Sequence, residues 1–186
     1  MFNLHSPYEE PGFGVWKQEL DALTGSEVLV REAAPSERDG RWMRWMQADC
    51  ESVFIQSVEH NVSKITKQLV LVAEIEAHPV GFCRALVGRA ESDPLFIQLV
   101  AVVPGARRRG VGLALLEAAA SREPQRSIAM ATLDDNVAAR RLNERFAKSI
   151  GCEIQRVPLR RYRRTDLGFD GGEHHHPWVI NRTGAV

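Results

Sequence analysis

Net charge is missing from this chain. Its 24 Lys and Arg residues balance 24 Asp and Glu, for a formal charge of zero. No overall field therefore draws it to nucleic acid or to an anionic membrane surface. Cysteine is scarce and unpatterned. Cys50, Cys83 and Cys152 are odd in number, widely spaced and without a CxxC pair. That weighs against a disulfide framework or a zinc site and fits reduced thiols in a cytoplasmic protein. No apolar run reaches membrane-spanning length. The opening residues, Met1-Phe-Asn-Leu-His-Ser-Pro-Tyr-Glu-Glu, lack the basic-then-apolar order of a signal peptide. Internal repeats and low-complexity tracts are absent as well. What remains is 186 residues, 44% hydrophobic and 26% charged, the balance of a folded soluble domain with an ordinary core.

The pattern along the chain predicts alternating strands and helices. Residues 1–25 read as an N-terminal extension with Trp16, Leu20 and Leu23 at helical spacing. Val28–Arg31 reads as a strand, and Pro35-Ser36 opens a helical region that continues, with a break, to Val62. Gln68–Glu76 and Val80–Gly88 flank Ala77-His78-Pro79 as a hairpin, and Leu95–Val103 is a continuous apolar strand of central type. Gly110–Arg122 is helical, Arg126–Leu133 a strand, and Asn136–Ile150 a helix closed by Gly151. Its apolar stripe is Ala138, Leu142, Phe146 and Ile150, and Asp134-Asp135 precede it as cap or base candidates. Cys152–Tyr162 reads as a last strand interrupted by Pro158, and residues from Arg163 as irregular until Trp178. The class is α/β with a mixed sheet.

The densest signal is Val102-Val-Pro-Gly-Ala-Arg107-Arg-Arg-Gly110-Val-Gly112-Leu. A strand ends, a turn carries three arginines, and a helix begins. Amides at a helix start have no internal partner and face the positive end of the dipole, so they suit an anion. Gly110 and Gly112 let a ligand approach the backbone. The nucleoside-triphosphate loop is excluded, since no Lys-Ser/Thr follows the last glycine. The GxGxxG dinucleotide fingerprint fails because Leu115 stands at its third glycine. The pattern that fits is Q/R-x-x-G-x-G/A.

With this loop, and with Asn136-Val-Ala-Ala139-Arg-Arg-Leu142 matching N-x-x-A-x-x-L, the chain resembles the GNAT superfamily of acyl-CoA-dependent N-acyltransferases over roughly residues 26–162. The order of elements agrees too. The resemblance implies a mostly antiparallel twisted sheet flanked by helices, with a splayed central strand. Residues 26–162 would form this domain, and 163–186 a C-terminal extension packed on it. The resemblance further implies that acetyl-CoA is the co-substrate. Residues Arg107, Arg108, Arg109, Gly110, Val111, Gly112 and Leu113 would hold its pyrophosphate end. Val100, Ala101 and Val102 would bulge and pair with the pantetheine arm, and Asn136, Ala139 and Asn143 would meet it from the next helix.

Two departures bear on catalysis. Asn143 stands where the family usually carries a tyrosine near the cofactor sulfur, and an amide cannot supply a proton near pH 7. The central strand offers only Gln98 where many members place a glutamate base. Asn143 and Gln98 are thus the catalytic candidates. Other acids and bases also stay open: Glu51, Glu59, Glu74, Glu76, Asp134, Asp135, His60 and His78 as bases, and Tyr8, Cys152 and Tyr162 as acids. Trp42 and Trp45 are expected in the core or at the acceptor pocket.

The implied activity is acetyl transfer to a small-molecule or peptide amine by a monomer or homodimer. Two rivals remain. One is a CoA-binding sensor without the chemistry. The other is an interaction module using the basic run Arg156–Arg164. No metal is expected, because Glu173-His174-His175-His176 cannot all face one ion from regular structure.

Overall fold

A computed structural model describes residues 6–50, 53–169 and 174–182. Glu51 and Glu173 lie outside the described residues. The chain forms a seven-stranded sheet in the order β1-β2-β3-β4-β5-β7-β6. Its strands are β1 (Leu29–Glu32), β2 (Leu69–Ile75), β3 (His78–Val87), β4 (Leu95–Val102), β5 (Ile128–Leu133), β6 (Ile154–Arg156) and β7 (His175–Ile180). Among the described residues, the α-helices that accompany them are α1 (Phe13–Ala22), α2 (Glu37–Asp49), α3 (Val58–Lys67), α4 (Val111–Arg122) and α5 (Val137–Ser149). The class is α/β with a mixed sheet, β4–β5 being parallel and β1–β2, β5–β7 and β6–β7 antiparallel. The chain divides into two compact units, residues 1–82 with 101–115, and 83–100 with 116–186.

In the first unit, helix starts follow the sequence. The Ser36 hydroxyl accepts from Asp39 N (3.3 Å) and the Ser57 hydroxyl from His60 N (3.2 Å), each satisfying a first-turn amide. The segment read as an N-terminal extension is part of this core. Phe13, Trp16, Leu20 and Leu23 are buried, and the Phe13, Trp16 and Trp45 rings cluster with centroids 5.5–6.1 Å apart. Trp45 is therefore a packing residue, its indole N–H donating to Glu10 Oε2 (2.8 Å). Trp42 instead lies under the guanidinium groups of Arg31 and Arg38. α2 and α3 are joined by a buried amide network. Gln47 Nε2 donates to Asn61 Oδ1 (3.0 Å), and Asn61 Nδ2 donates to Gly40 O (3.1 Å).

The charged centre of this unit is Asp39, fully buried on α2. Its carboxylate accepts from Arg31 Nη1 (2.7 Å), Arg31 Nη2 (3.2 Å) and Ala34 N (2.8 Å). Arg31 Nε donates to Glu74 on the paired strand (2.8 Å). The hairpin turn Glu76-Ala77 has positive φ at both residues, +50° and +64°, as a primed turn between twisted strands requires.

In the second unit, β7 differs from expectation. It inserts between β5 and β6, pairing Ile128–Leu133 on one side and Ile154–Arg156 on the other. The strand read as Cys152–Tyr162 is only three residues long, because Pro158 cannot donate to a ladder and a 3-10 turn, Leu159–Arg161, follows. Histidines 174–176 disguised the β7 strand, since its only apolar run is Trp178–Ile180. A sheet face here is closed by the segment after that turn: Phe96, Ala129 and Leu167 form a cluster joined by Leu86, Tyr162 and Phe169. Burial pushes two thiols up, Cys50 to about 11 and Cys83 to about 12, so neither is a thiolate at neutral pH.

Candidate active site

β4 carries the first functional feature. It pairs with β5 only through Leu95–Ile97 against Ile128–Met130. From Gln98 onward no partner on β5 is registered, although β5 continues to Leu133. Backbone groups left this way need another partner. β4 also departs from regular pairing with β3. Between the bonds Gly88 N→Pro94 O and Val103 N→Val80 O, β3 advances from 88 to 80, eight steps, while β4 advances from 94 to 103, nine steps. One extra residue in β4 is the count of a β-bulge.

In the first unit, β4 ends at Ala101 and Val102 and is followed by a 3-10 turn, Pro104–Ala106, and the loop into α4. The α4 ladder begins at Ala114 N→Gly110 O (3.0 Å). The amides of Val111, Gly112 and Leu113 precede it and lie outside the helix's own bonding. Arg108 and Gly110 have φ of +64° and +84°, a sharp reversal that turns the chain into the helix. Backbone approach is close beneath: a Cβ on Gly81 of β3 would stand 2.8 Å from Ala101 O and 3.1 Å from Val111 Cγ1. Glycine at 81 is therefore what lets the end of β4 and the start of α4 sit against β3.

The three arginines divide. Arg108 is exposed, and exposed Arg107 donates through Nε to Val102 O (3.3 Å). Arg109 turns away. Its Nη1 and Nη2 both donate to Leu23 O (3.2 Å), and Nη1 also donates to Gly25 O (3.0 Å). These carbonyls lie at the end of α1, where a cation also complements the dipole. The guanidinium expected to add charge for an anion is thus a clamp on the N-terminal segment. Arg109→Ala is expected to destabilise the fold by about 1.5–3 kcal/mol, the worth of hydrogen bonds to a charged donor, read as the loss in urea unfolding free energy. A destabilisation below about 0.5 kcal/mol would show the clamp carries nothing.

In the second unit, the cap of α5 is Asn136 itself rather than Asp134 or Asp135: its Oδ1 accepts from Ala139 N (3.0 Å). A short, neutral amide at this position satisfies the first turn without help from the acids upstream. Asp134 accepts instead from His176 Nε2 (2.6 Å), and Arg156 contacts the same ring. The buried face of α5 is Asn143, Phe146 and Ala147. Ala138, expected in the apolar stripe, is exposed, because the inward face is centred on Asn143 rather than on Leu142. Asn143 is 7% exposed, yet its amide has no hydrogen-bond partner among the described residues.

Gln98 is placed by its own bonds. Nε2 donates to Thr165 O (3.2 Å) and Asp166 O (3.0 Å), and a Cβ on Gly168 would stand 2.7 Å from Gln98 Cβ. Gln98 therefore holds the covering segment, and its amide has no basic lone pair for proton transfer.

Several alternative acids and bases are also occupied. Glu74 pairs with Arg31, and Glu76 accepts from Gly25 N (2.5 Å). His78 contacts Glu76 O and Glu19, and the Tyr8 hydroxyl donates to Ala48 O. Tyr162 stacks edge-on against Phe96 at 5.3 Å. No group of His, Cys, Asp and Glu among the described residues could hold a metal ion. No described helix is long and apolar enough to cross a membrane.

Sequence reasoning passed over Arg84. It is the single charge within Val80-Gly-Phe-Cys-Arg84-Ala-Leu-Val, and that interruption of an apolar strand was the available signal.

Comparison with known proteins bears on this arrangement. A sequence model described as "Acetyltransferase (GNAT) family" matches residues 37–147. Among solved structures, the chain is similar to a diaminobutyrate acetyltransferase from Paenibacillus lautus in complex with L-2,4-diaminobutyric acid and coenzyme A. They share 23% identity over 85% of this chain and 96% of that one, with a TM-score of 0.65. It is also similar to the ribosomal-protein-S18-alanine N-acetyltransferase of Escherichia coli (18% identity, 83% and 92% coverage, TM-score 0.57). A third is an N-acetyltransferase from Thermoplasma acidophilum in complex with coenzyme A (11%, 82% and 98%, TM-score 0.59). At these identities the structures speak to the fold. No match was found among curated proteins.

Proposed function

The chain belongs to the acetyltransferase (GNAT) family, and from that premise we propose that it moves an acetyl group from acetyl-CoA to a primary amine by direct attack. The observation that carries this reading is the β4–α4 loop, with unpaired first-turn amides and Gly110 at φ +84°. Amides of Arg107–Leu113 would hold the pyrophosphate, with Arg107 and Arg108 adding charge. The unpaired stretch of β4, including Val100, Ala101 and Val102, offers backbone groups to the pantetheine arm in the manner of an added strand. Asn136, Ala139 and Asn143 would line that arm from α5. Two structural neighbours hold coenzyme A, which supports the same donor.

The chemistry is balanced simply. The neutral amine nitrogen attacks the thioester carbonyl, and the negative charge that develops on the carbonyl oxygen is stabilised by a β4 backbone amide. The C–S bond then breaks, and the thiolate receives the proton that the amine gives up. Gln98 and Asn143 cannot exchange that proton, so water is the carrier this site supports.

Isothermal titration with acetyl-CoA is expected to show one site, and free thiol is expected to appear when an amine acceptor is added. Absence of binding at millimolar acetyl-CoA would sink the reading. A CoA-binding sensor is the second reading, motivated by the same two amides. Thiol release with any acceptor eliminates it.

A further inference from the structure

Arg84 stands in β3 between buried Cys83 and buried Ala85. Its Nε is buried and makes no hydrogen bond among the described residues. No carboxylate of the described residues pairs with it, and burial lowers the affinity of the guanidinium for its proton. The side chain as a whole is half-buried, so the cost falls on the unpaired Nε and on a partly desolvated charge.

Its surroundings tell what the charge faces. Alternation along a strand puts Arg84 on the same face as Leu86. The bond Gly88 N→Pro94 O sets Leu86 opposite Phe96, and those two side chains do pack in one cluster. Alternation along β4 puts Gln98 on the same face as Phe96. That face is the one closed by residues 162–169, whose carbonyls at Thr165 and Asp166 are held by Gln98. A cavity of about 90 Å³ opens there between Leu86, Phe96, Arg163 and Asp166. Arg163 is already paired with Asp166 at 3.1 Å, and Arg89, which also lines the cavity, is exposed. Arg84 lies beside the cavity rather than in its wall, two residues before Leu86 on the same face of β3. Along β4, Gln98 is two residues before Val100, where the proposed donor site begins.

We propose that Arg84 anchors a carboxylate of the acceptor, so that the amine acetylated here is an amino acid or a similar small aminocarboxylate. The planar guanidinium fork suits a carboxylate in two-point contact, and the ligand supplies the charge the protein withholds. This rests on the acetyl-transfer reading above.

The test uses matched pairs that differ only by carbon dioxide: glycine and methylamine, β-alanine and ethylamine, γ-aminobutyrate and propylamine, lysine and cadaverine. Thiol release from acetyl-CoA is measured for the natural protein, Arg84→Met and Arg84→Lys. The natural protein is expected to favour the carboxylate member of at least one pair by about tenfold or more in kcat/KM. Arg84→Met should erase that preference through KM and leave the member lacking a carboxylate unchanged, while Arg84→Lys keeps part of it. Without ligand, Arg84→Met should melt no lower than the natural protein, because it removes a partly buried, unpaired charge and an unsatisfied Nε. Equal loss on both members of a pair, a lowered melting temperature or a natural preference for the amines lacking a carboxylate would overturn the proposal.

If no amine releases thiol, the acetyl-transfer reading fails, and Arg84 is judged by binding alone. The same amino acids added to CoA-saturated protein should then raise the melting temperature of the natural protein and not of Arg84→Met. No rise in the natural protein overturns the anchor.

Discussion

Replacing Gly110 by aspartate is expected to weaken acetyl-CoA binding at least about 100-fold while leaving the protein folded. A Cβ at residue 110 meets nothing within 4 Å, so no clash arises. The backbone sits at φ +84°, where a side chain costs roughly 1–2 kcal/mol and aspartate is among the better tolerated. Electrostatic repulsion outweighs that backbone cost. A carboxylate placed among the amides proposed to hold the pyrophosphate repels it by roughly 3–4 kcal/mol per charge pair at 4–6 Å and an effective dielectric of about 20. Each 1.4 kcal/mol is about tenfold in affinity. Gly110→Ala carries the backbone cost alone and should bind within about tenfold of the natural protein. Titration calorimetry separates the two variants. Binding by Gly110→Asp within tenfold of the natural protein would place the cofactor elsewhere.

Asp39→Ala is expected to cost about 3–5 kcal/mol of folding stability, the penalty for breaking a buried pair by removing one partner. The variant leaves the Arg31 guanidinium without its two-point acceptor and the Ala34 amide without any. The same carboxylate makes stability depend on acidity. Burial alone would push the Asp39 carboxyl up. Hydrogen bonds from Arg31 and Ala34, with the charges of Arg31 and Arg38, outweigh it and hold the carboxyl below its ordinary value. A group depressed in the folded state contributes fully above its unfolded pKa, about 3.9. Its contribution is lost as the pH falls through the lower folded value. Urea unfolding at pH 7 and at pH 3 should therefore show the gap between the natural protein and Asp39→Ala shrinking at the lower pH. A gap below about 1 kcal/mol at pH 7 would show that the network is worth no more than a surface pair.

Much of this architecture was legible because local and distant constraints agree. Ser36 and Ser57 announce their helices, Gly110 marks the reversal into α4, and Asn136 opens α5. Side-chain destinations were less legible. Nothing in the spacing of Arg107, Arg108 and Arg109 says that the third reaches back to carbonyls more than 80 residues earlier in the chain. The position of β7 was hidden for a similar reason. Strand pairing between residues some 45 apart is decided by the bare edge of β5, while the local signal at His175 and His176 is polar. Arg84 shows the converse, a residue that breaks the apolar pattern of its strand without any local compensation.

The placement of β7 also sets a timetable for synthesis. β5 finds its antiparallel partner only when residues 175–180 have been made, 42 to 52 positions downstream. β6, though made earlier than β7, has no other neighbour in the sheet. A nascent chain that already holds β5 therefore carries an open, apolar edge, Ile128-Ala-Met-Ala, through the translation of more than 40 further residues. Such an edge is a template for pairing with another chain. Crowded ribosomes translating one message would bring these edges together, so a slow stretch of codons between residues 134 and 174 should favour aggregation over folding.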